Sequence, residues 1–480
     1  MTTETNETAI NRARRVLEAA HKAWLAMADF RRRRRRYMRY TYGDQWGDPA
    51  PEASGAMTEG EAMRAQGARP LTNNLIRRMV KAVVGRYRMQ ADATAPDGDE
   101  ETPLQKCRRF NCTDELDART FEEFLISGVA LQRVGRDTRL GRRATWVDIV
   151  NPDTFFATPV GDPRGCDTEL VGRFTDMSIA ELCMRYGIGD PRRTSRLRSI
   201  YAEAGATDTA DAAVRAGGGS FFQAPEGRCR VIEVWTLECR ELMRVHDPLR
   251  ATMALAEPGE LHRIERLNRQ RRRRNVPELR ARIETTTVWH CRIMAPDATI
   301  LAESSRPAEA GHPFAMKFYP LVDGDVHSLV EDVIDQQRHV NRMITTMDRM
   351  MATAAKGVLL FPSKCKPDEL DWADIVQLWS DPGGVIPYRP IDRGEPHQVL
   401  TPVADPGISR MLQTQIEMFQ DVSGVSDALM GRNISAGVGA ERYRSEVANA
   451  SLTVDDLLKT FRHFVATRDA LILKTVEQRP

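Results

Sequence analysis

Lysine is scarce in this 480-residue chain, which carries nine lysines against 60 arginines. A GC-rich genome and selection for guanidinium chemistry explain that skew equally well. Net charge is scarce too, since 69 basic residues meet 67 acidic ones and leave +2 with histidine neutral. A protein whose whole surface binds phosphate would be far more basic, so any cationic function must be local. The eight cysteines form no CxxC pair and no Cys/His cluster at zinc-ligand spacing. That excludes the small zinc modules and leaves reduced thiols as the simplest state. No apolar run approaches the ~20 residues of a membrane span. The opening MTTETNETAINRARRV lacks the apolar core of a secretory signal. A soluble intracellular product with no membrane partner is the expectation.

Signatures of catalysis are missing as well. There is no GxxxxGK[ST], no GxGxxG after a strand, no HExxH and no GxSxG, and the nine histidines are dispersed. DGDEE within 92–101 lacks the twelve-residue spacing of a calcium loop. GGGS at 217–220 lacks the Lys-Ser/Thr of a phosphate loop. Asp332 and Asp335 lie one helical turn apart and could join other carboxylates around a metal, as a nuclease requires. Surface charge on a long helix is the competing reading. The expectation is therefore no catalytic residue, no metal and no cofactor.

What the chain does have is arginine in blocks and helices of unusual length. Ile10, Ala13, Leu17, Ala20, Trp24, Met27 and Phe30 recur at helical spacing and predict one helix over 8–40. Its FRRRRRRYMRY (30–40) interrupts that stripe with six arginines. A solvated helix segment or subunit contact, a phosphate grip and a targeting signal are the three readings. Arg34, on the apolar side, can lay its methylenes on a neighbour and send its head to water.

Further along, 69–90 reads as an amphipathic helix that Thr72 or Asn73 could cap, and TDELDARTFEEFLISGVALQRVG (113–135) as helical throughout. Strand and turn follow at 144–158, a short helix at 178–187, and loop or linker over 188–227. RCRVIEVWTLECREL (228–242) is a strand, 260–284 a strongly basic helix kinked at Pro277, and 285–304 a hairpin around the APDA turn. Strands at 357–362 and 383–390 flank a helix at 372–379, and helices at 408–424 and 440–478 close the chain. This length exceeds one core, so two or more domains are expected in an α+β, mainly helical fold.

The stretch 323–357 is the most informative. Val326, Val330, Val333, Val340, Ile344, Met347, Met351 and Ala354 share one face of a helix of about 31 residues, about 46 Å long, that only Gln337 breaks. Asp323 and Asp325 could cap its start and Gly357 stop it. The opposite face begins acidic and ends with Arg342, Arg349 and Lys356, a gradient that complements the helix dipole.

YGDQW, RPLTNNLIRRMVKAVVG and VNPDTFF resemble the N-terminal wing of tailed-phage portal proteins of the podovirus type. HPFAMKFYPLVDGDVHSLVEDVIDQQRHVNRMITTMDRMM resembles their passage into the second stem helix. VSGVSDALMGRNISAGVGAERYRSE resembles the segment between channel helix and crown. The resemblance implies a portal-type fold with a wing over 1–258, a first stem helix at 259–284, a clip at 285–322 and a second stem helix at 323–357. Wing strands and a tunnel loop would follow at 358–407, a channel helix and turn at 408–439, and a crown helix at 440–480. It also implies a ring of twelve subunits at one capsid vertex of the virion, assembled in the host cytoplasm. Double-stranded DNA would pass through that ring. Terminase, tail adaptor or head-completion proteins and the major capsid protein would be its partners.

A wall past which a duplex slides must grip weakly, because every phosphate neutralised adds affinity. Arg342, Arg349 and Lys356 on the long helix, and Arg389, Arg393 and His397 in the loop region, are the DNA-facing candidates. A metal-dependent nuclease and another self-assembling head component are the alternatives.

Overall fold

The computed structural model describes residues 2–50, 57–93, 101–139, 141–187, 191–204, 220–250, 252–256, 258–354, 358–380, 385–390, 395–399, 406–425 and 440–477. Six helices come first: α1 (Thr2–Ala26), α2 (Ala28–Tyr42), α3 (Glu59–Ala65), α4 (Leu75–Ala93), α5 (Pro103–Asn111) and α6 (Thr113–Ser127). Strands β1 (Val129–Arg139), β2 (Arg142–Ile149), β3 (Phe155–Ala157) and β4 (Leu170–Met177) follow, then α7 (Ile179–Tyr186) and α8 (Pro191–Ala204). Next are β5 (Cys229–Asp247), β6 (Thr252–Ala256), α9 (Leu261–Arg273), β7 (Arg280–Met294), β8 (Ile300–Pro307), β9 (Phe314–Phe318), β10 (Leu321–Val322) and β11 (Asp325–Val326). The remainder is α10 (Leu329–Ala354), β12 (Val358–Leu360), α11 (Trp372–Ser380), β13 (His397–Val399), α12 (Pro406–Ser423) and α13 (Ala440–Glu477). The class is α+β, about half helical.

Two compact units divide the chain. The first comprises 1–36, 84–328 and 455–480, and the second 37–83 and 329–454.

In the first unit an antiparallel sheet runs β3-β4-β5-β7-β8, with β6 also pairing β5, and a smaller one runs β2-β1-β9. The stripe read from the sequence lies on the larger sheet. Ala13, Leu17, Ala20 and Trp24 pack against Phe156, Phe174, Ile232 and Val234. Phe221 joins that cluster, so the stretch expected to be mere linker over 188–227 supplies both α8 and a core aromatic 1% exposed. The single helix expected over 8–40 breaks at Met27 into α1 and α2. Helix 113–135 ends early because Gly128 takes a left-handed φ of 75° as cap, and β-prone VALQRV follows as β1. A Cβ at Gly128 would come within 2.5 Å of Val326 and 2.6 Å of the His327 carbonyl, so the turn needs glycine.

The basic helix expected at 260–284 stops at Arg273. Asn275 adopts φ 54° and Pro277 follows, after which Arg280 begins β7. Likewise 323–357 is helical only from Leu329. Asp323 (φ 52°) and Gly324 (φ 84°) turn the small β10–β11 hairpin, so Asp323 and Asp325 are hairpin residues rather than caps. Residues 385–390 hold no strand, and β12 pairs with β13 instead.

Buried charge pins the two sheets of the first unit together. Glu233 on β5 accepts from Arg133 Nε of β1 at 3.0 Å, from Arg173 Nε of β4 at 3.3 Å and from Trp235 Nε1 at 3.0 Å. Burial pushes this carboxyl up, but the two guanidiniums outweigh that and hold it at about 2. A second joint fixes α13. Its fully buried Arg468 donates to Asp117 on α6 at 2.7 Å, while Phe461 stacks among Phe121, Phe124 and Tyr87.

Glu233→Gln leaves Arg133 and Arg173 buried without their shared anion and should cost about 3–5 kcal/mol in urea unfolding at neutral pH. Because the folded pKa lies below the ordinary 4.5, this stabilisation is present above about 4.5 and fades as pH falls toward 2. The wild-type stability curve should steepen over that window and the variant's should lack that increment.

Candidate nucleic-acid interface

In the second unit α10 is held by its polar residues. Gln337, Asn341 and Thr345 are fully buried, four residues apart, and face residues 71–76, the segment that leads into α4 and its first two residues. Positions four apart on a helix share one face about 6 Å from each other, so the three side chains reach successive backbone groups of this segment. Leu71 N–H donates to Thr345 Oγ1 at 3.0 Å and Asn73 N–H to Asn341 Oδ1 at 3.0 Å. Leu75 and Ile76 N–H both donate to Gln337 Oε1, at 2.9 and 3.2 Å. Gln337 Nε2 returns a bond to the Asn73 carbonyl at 2.6 Å. Asn74 Oδ1 takes Arg77 N–H at 2.9 Å, so Asn74 and, from α10, Gln337 together serve the first turn of α4 where Thr72 or Asn73 was expected to cap. Asn341 also donates to Gln45 Oε1, which ties in the segment after α2.

The residue that appeared to break an apolar face is thus the centre of its contact. Val330, Val333 and Val340 are buried as expected, but Met351 is 58% exposed because the covered face passes through Asn341 and Thr345 instead.

Beside this ladder lies Glu59, buried at the start of α3. It accepts from Arg338 and, at 3.0 Å, from Arg342 Nη2. Burial opposes the charge of Arg338, and Glu59 more than restores it, so its pKa is raised. Arg342 keeps an exposed flank while its charge is already half answered by Glu59. Arg349 is exposed on the same helix. Arg389 is exposed, pairs with Asp368 at 2.5 Å and donates its backbone N–H to the Cys365 carbonyl. His397 is exposed on β13, its ring near the Glu395 carbonyl. Lys356 and Arg393, with most of the expected tunnel loop, lie outside the described residues. Among the described residues no three His, Cys, Asp or Glu side chains converge as metal ligands.

The arginine block answers to carboxylates of the first unit. Arg34 is buried, contrary to the expectation that its head reaches water. It donates through Nε and Nη2 to Glu123 at 2.7 and 2.8 Å and pairs with Asp153 at 3.1 Å. Burial opposes its charge, and the two carboxylates more than offset that, raising its pKa. Arg31 lies over the Trp24 ring at 3.9 Å, where desolvation pulls it down to about 10. Arg33 reaches Asp325 at 2.7 Å, and only Arg32, paired with Asp29, stands in solvent along the first four. Their burial and pairing make these residues fasteners of α2 rather than a phosphate grip. The signal for Arg34 was its place in the apolar stripe; its carboxylates, 89 and 119 positions away, left no local trace.

A family model described as phage P22-like portal protein matches residues 17–463. A search of curated proteins finds no match.

Gln337→Leu removes three hydrogen bonds to the start of α4 and leaves the buried Ile76 N–H without its acceptor, and it should lower unfolding free energy by about 2–4 kcal/mol. Arg342→Gln, which leaves Arg338 on Glu59, should cost under about 1 kcal/mol in the same urea titration.

Proposed function

The chain is a member of the phage P22-like portal protein family, and from that premise we propose that it forms a ring of twelve through which double-stranded DNA enters and leaves the capsid. Membership implies a homo-oligomeric ring in the phage head and a place in the virion capsid. The family is structural rather than enzymatic. No helix among the described residues is long and apolar enough to cross a membrane.

The observation that carries the finer reading is α10. It is a 26-residue helix with one face locked by a polar ladder and the other bearing charges of both signs. In this reading α10 is the second stem helix and its charged face lines the channel. Arg342 suits a wall for a sliding duplex because Glu59 tempers its charge, so its contact with any one phosphate is weak. Arg349, Lys356, Arg389, Arg393 and His397 belong to the same proposed lining. The ring works without catalytic groups of its own: terminase supplies the ATP-driven movement, then tail adaptors dock, and the major capsid protein surrounds the wing. Assembly takes place in the host cytoplasm.

Purified protein should show a particle about twelve times the mass of the 54.1 kDa protomer, with a central hole in end-on images. It should leave supercoiled DNA intact in magnesium or manganese. A monomer that cuts DNA would instead establish the nuclease alternative, and a closed particle without a hole another head component.

A further inference from the structure

Within the first unit, α9 carries a dense run of unneutralised charge. Residues 260–284 hold nine arginines and four glutamates, so this short stretch alone exceeds the +2 of the whole chain. Its helical part, α9, sits on a ribbon formed by β5 and β7. The register pairs β5 with β4 only through Thr236 and β7 with β8 only from Val288, so 239–247 and 280–287 run on as a pair joined by β6. Met243, Val245 and Ile264 form a small core that seats α9 on this ribbon. Asn268 fixes the seat by accepting from Leu279 N–H at 2.8 Å and donating to its carbonyl at 2.9 Å. Arg271 adds a two-point pair to Asp247 at 2.6 and 2.7 Å.

That seating orients the rest of α9. At about 100° per residue, His262, Arg266, Arg269 and Arg273 fall within an arc of about 60° centred opposite Ile264. All four are exposed. Arg266, Arg269 and Arg273 have no acidic partner among the described residues, whereas Arg271 and Arg272 are held by Asp247 and Glu278. A helix dipole favours cations in the last turn and so accounts for Arg273, but Arg266 and Arg269 precede that turn. Leu261 and Leu267, both partly exposed, flank the seated side, and the outward arc itself carries no apolar residue. A protein interface would need apolar anchors at its centre, while contact with a phosphate backbone needs none.

We propose that this arginine face of α9 binds the phosphate backbone of duplex DNA without reading sequence. The proposal rests on the conduit reading only for the identity of the polyanion. Its physics complements that reading: arginines already paired on α10 would let a duplex slide, and unpaired ones on α9 would hold it.

The assembled protein, as wild type, R266Q/R269Q/R273Q and R266K/R269K/R273K, is titrated with a fluorescent duplex of about 30 base pairs between about 50 and 300 mM KCl. Circular dichroism melts establish that the variants fold alike. The glutamine variant should flatten the slope of log affinity against log salt by about 2.7 for each protomer engaged, at 0.9 per phosphate. The lysine variant should keep the wild-type slope. A glutamine variant that binds like wild type overturns the proposal, as does a lysine variant that loses as much as the glutamine one. Loss of poly-L-glutamate binding with duplex binding intact also overturns it, in favour of an acidic protein partner. Mass measured on the same samples reports the ring separately, so a failed ring and a failed α9 site give different results.

Discussion

A guanidinium can leave water only if a carboxylate or a row of acceptors meets it, and this chain relies on that constraint repeatedly. Arg34 meets Glu123 and Asp153, Arg133 and Arg173 share Glu233, and Arg468 meets Asp117. Each pair joins segments far apart in sequence, so the pairs act as joints of the fold. The 67 acidic residues that hold the net charge to +2 supply the partners for these joints. Arginine suits this role because its planar fork bonds through two nitrogens at once, as Arg34 does with Glu123.

The same logic sorts the cationic surface. Where an arginine has a carboxylate, as Arg342 has Glu59, its field is short and its grip on a passing anion weak. Where it has none, as at Arg266 and Arg269, the full charge faces water. A conduit needs the first kind along its wall and can use the second kind where a duplex must be restrained. The long helix α10 keeps its orientation because the second unit grips it through uncharged hydrogen bonds. Gln337, Asn341 and Thr345 share one face and meet the backbone of Leu71, Asn73, Leu75 and Ile76, so rotation of the helix by one residue would lose these bonds together.

Much of the fold could be read in advance wherever a pattern was local. The α1 stripe, the β7–β8 hairpin and the long helix at 329–354 each show their period within a dozen residues. Boundaries failed where a single backbone angle decided them: Gly128 ends α6, Asn275 ends α9, and Asp323 with Gly324 makes a hairpin where a cap was expected. The buried joints were invisible because their partners lie far along the chain. Gln337 interrupts the apolar face, and the recurrence of polar residues at 337, 341 and 345 is a usable sign of a polar contact.

Reconstruction of the assembled ring at side-chain detail, with duplex present, tests the central claim most directly. The account predicts α10 with Gln337, Asn341 and Thr345 turned onto 71–76 and the side chains of Arg342 and Arg349 facing the central hole. Finding those two arginines buried between neighbouring subunits, away from the duplex, would contradict it.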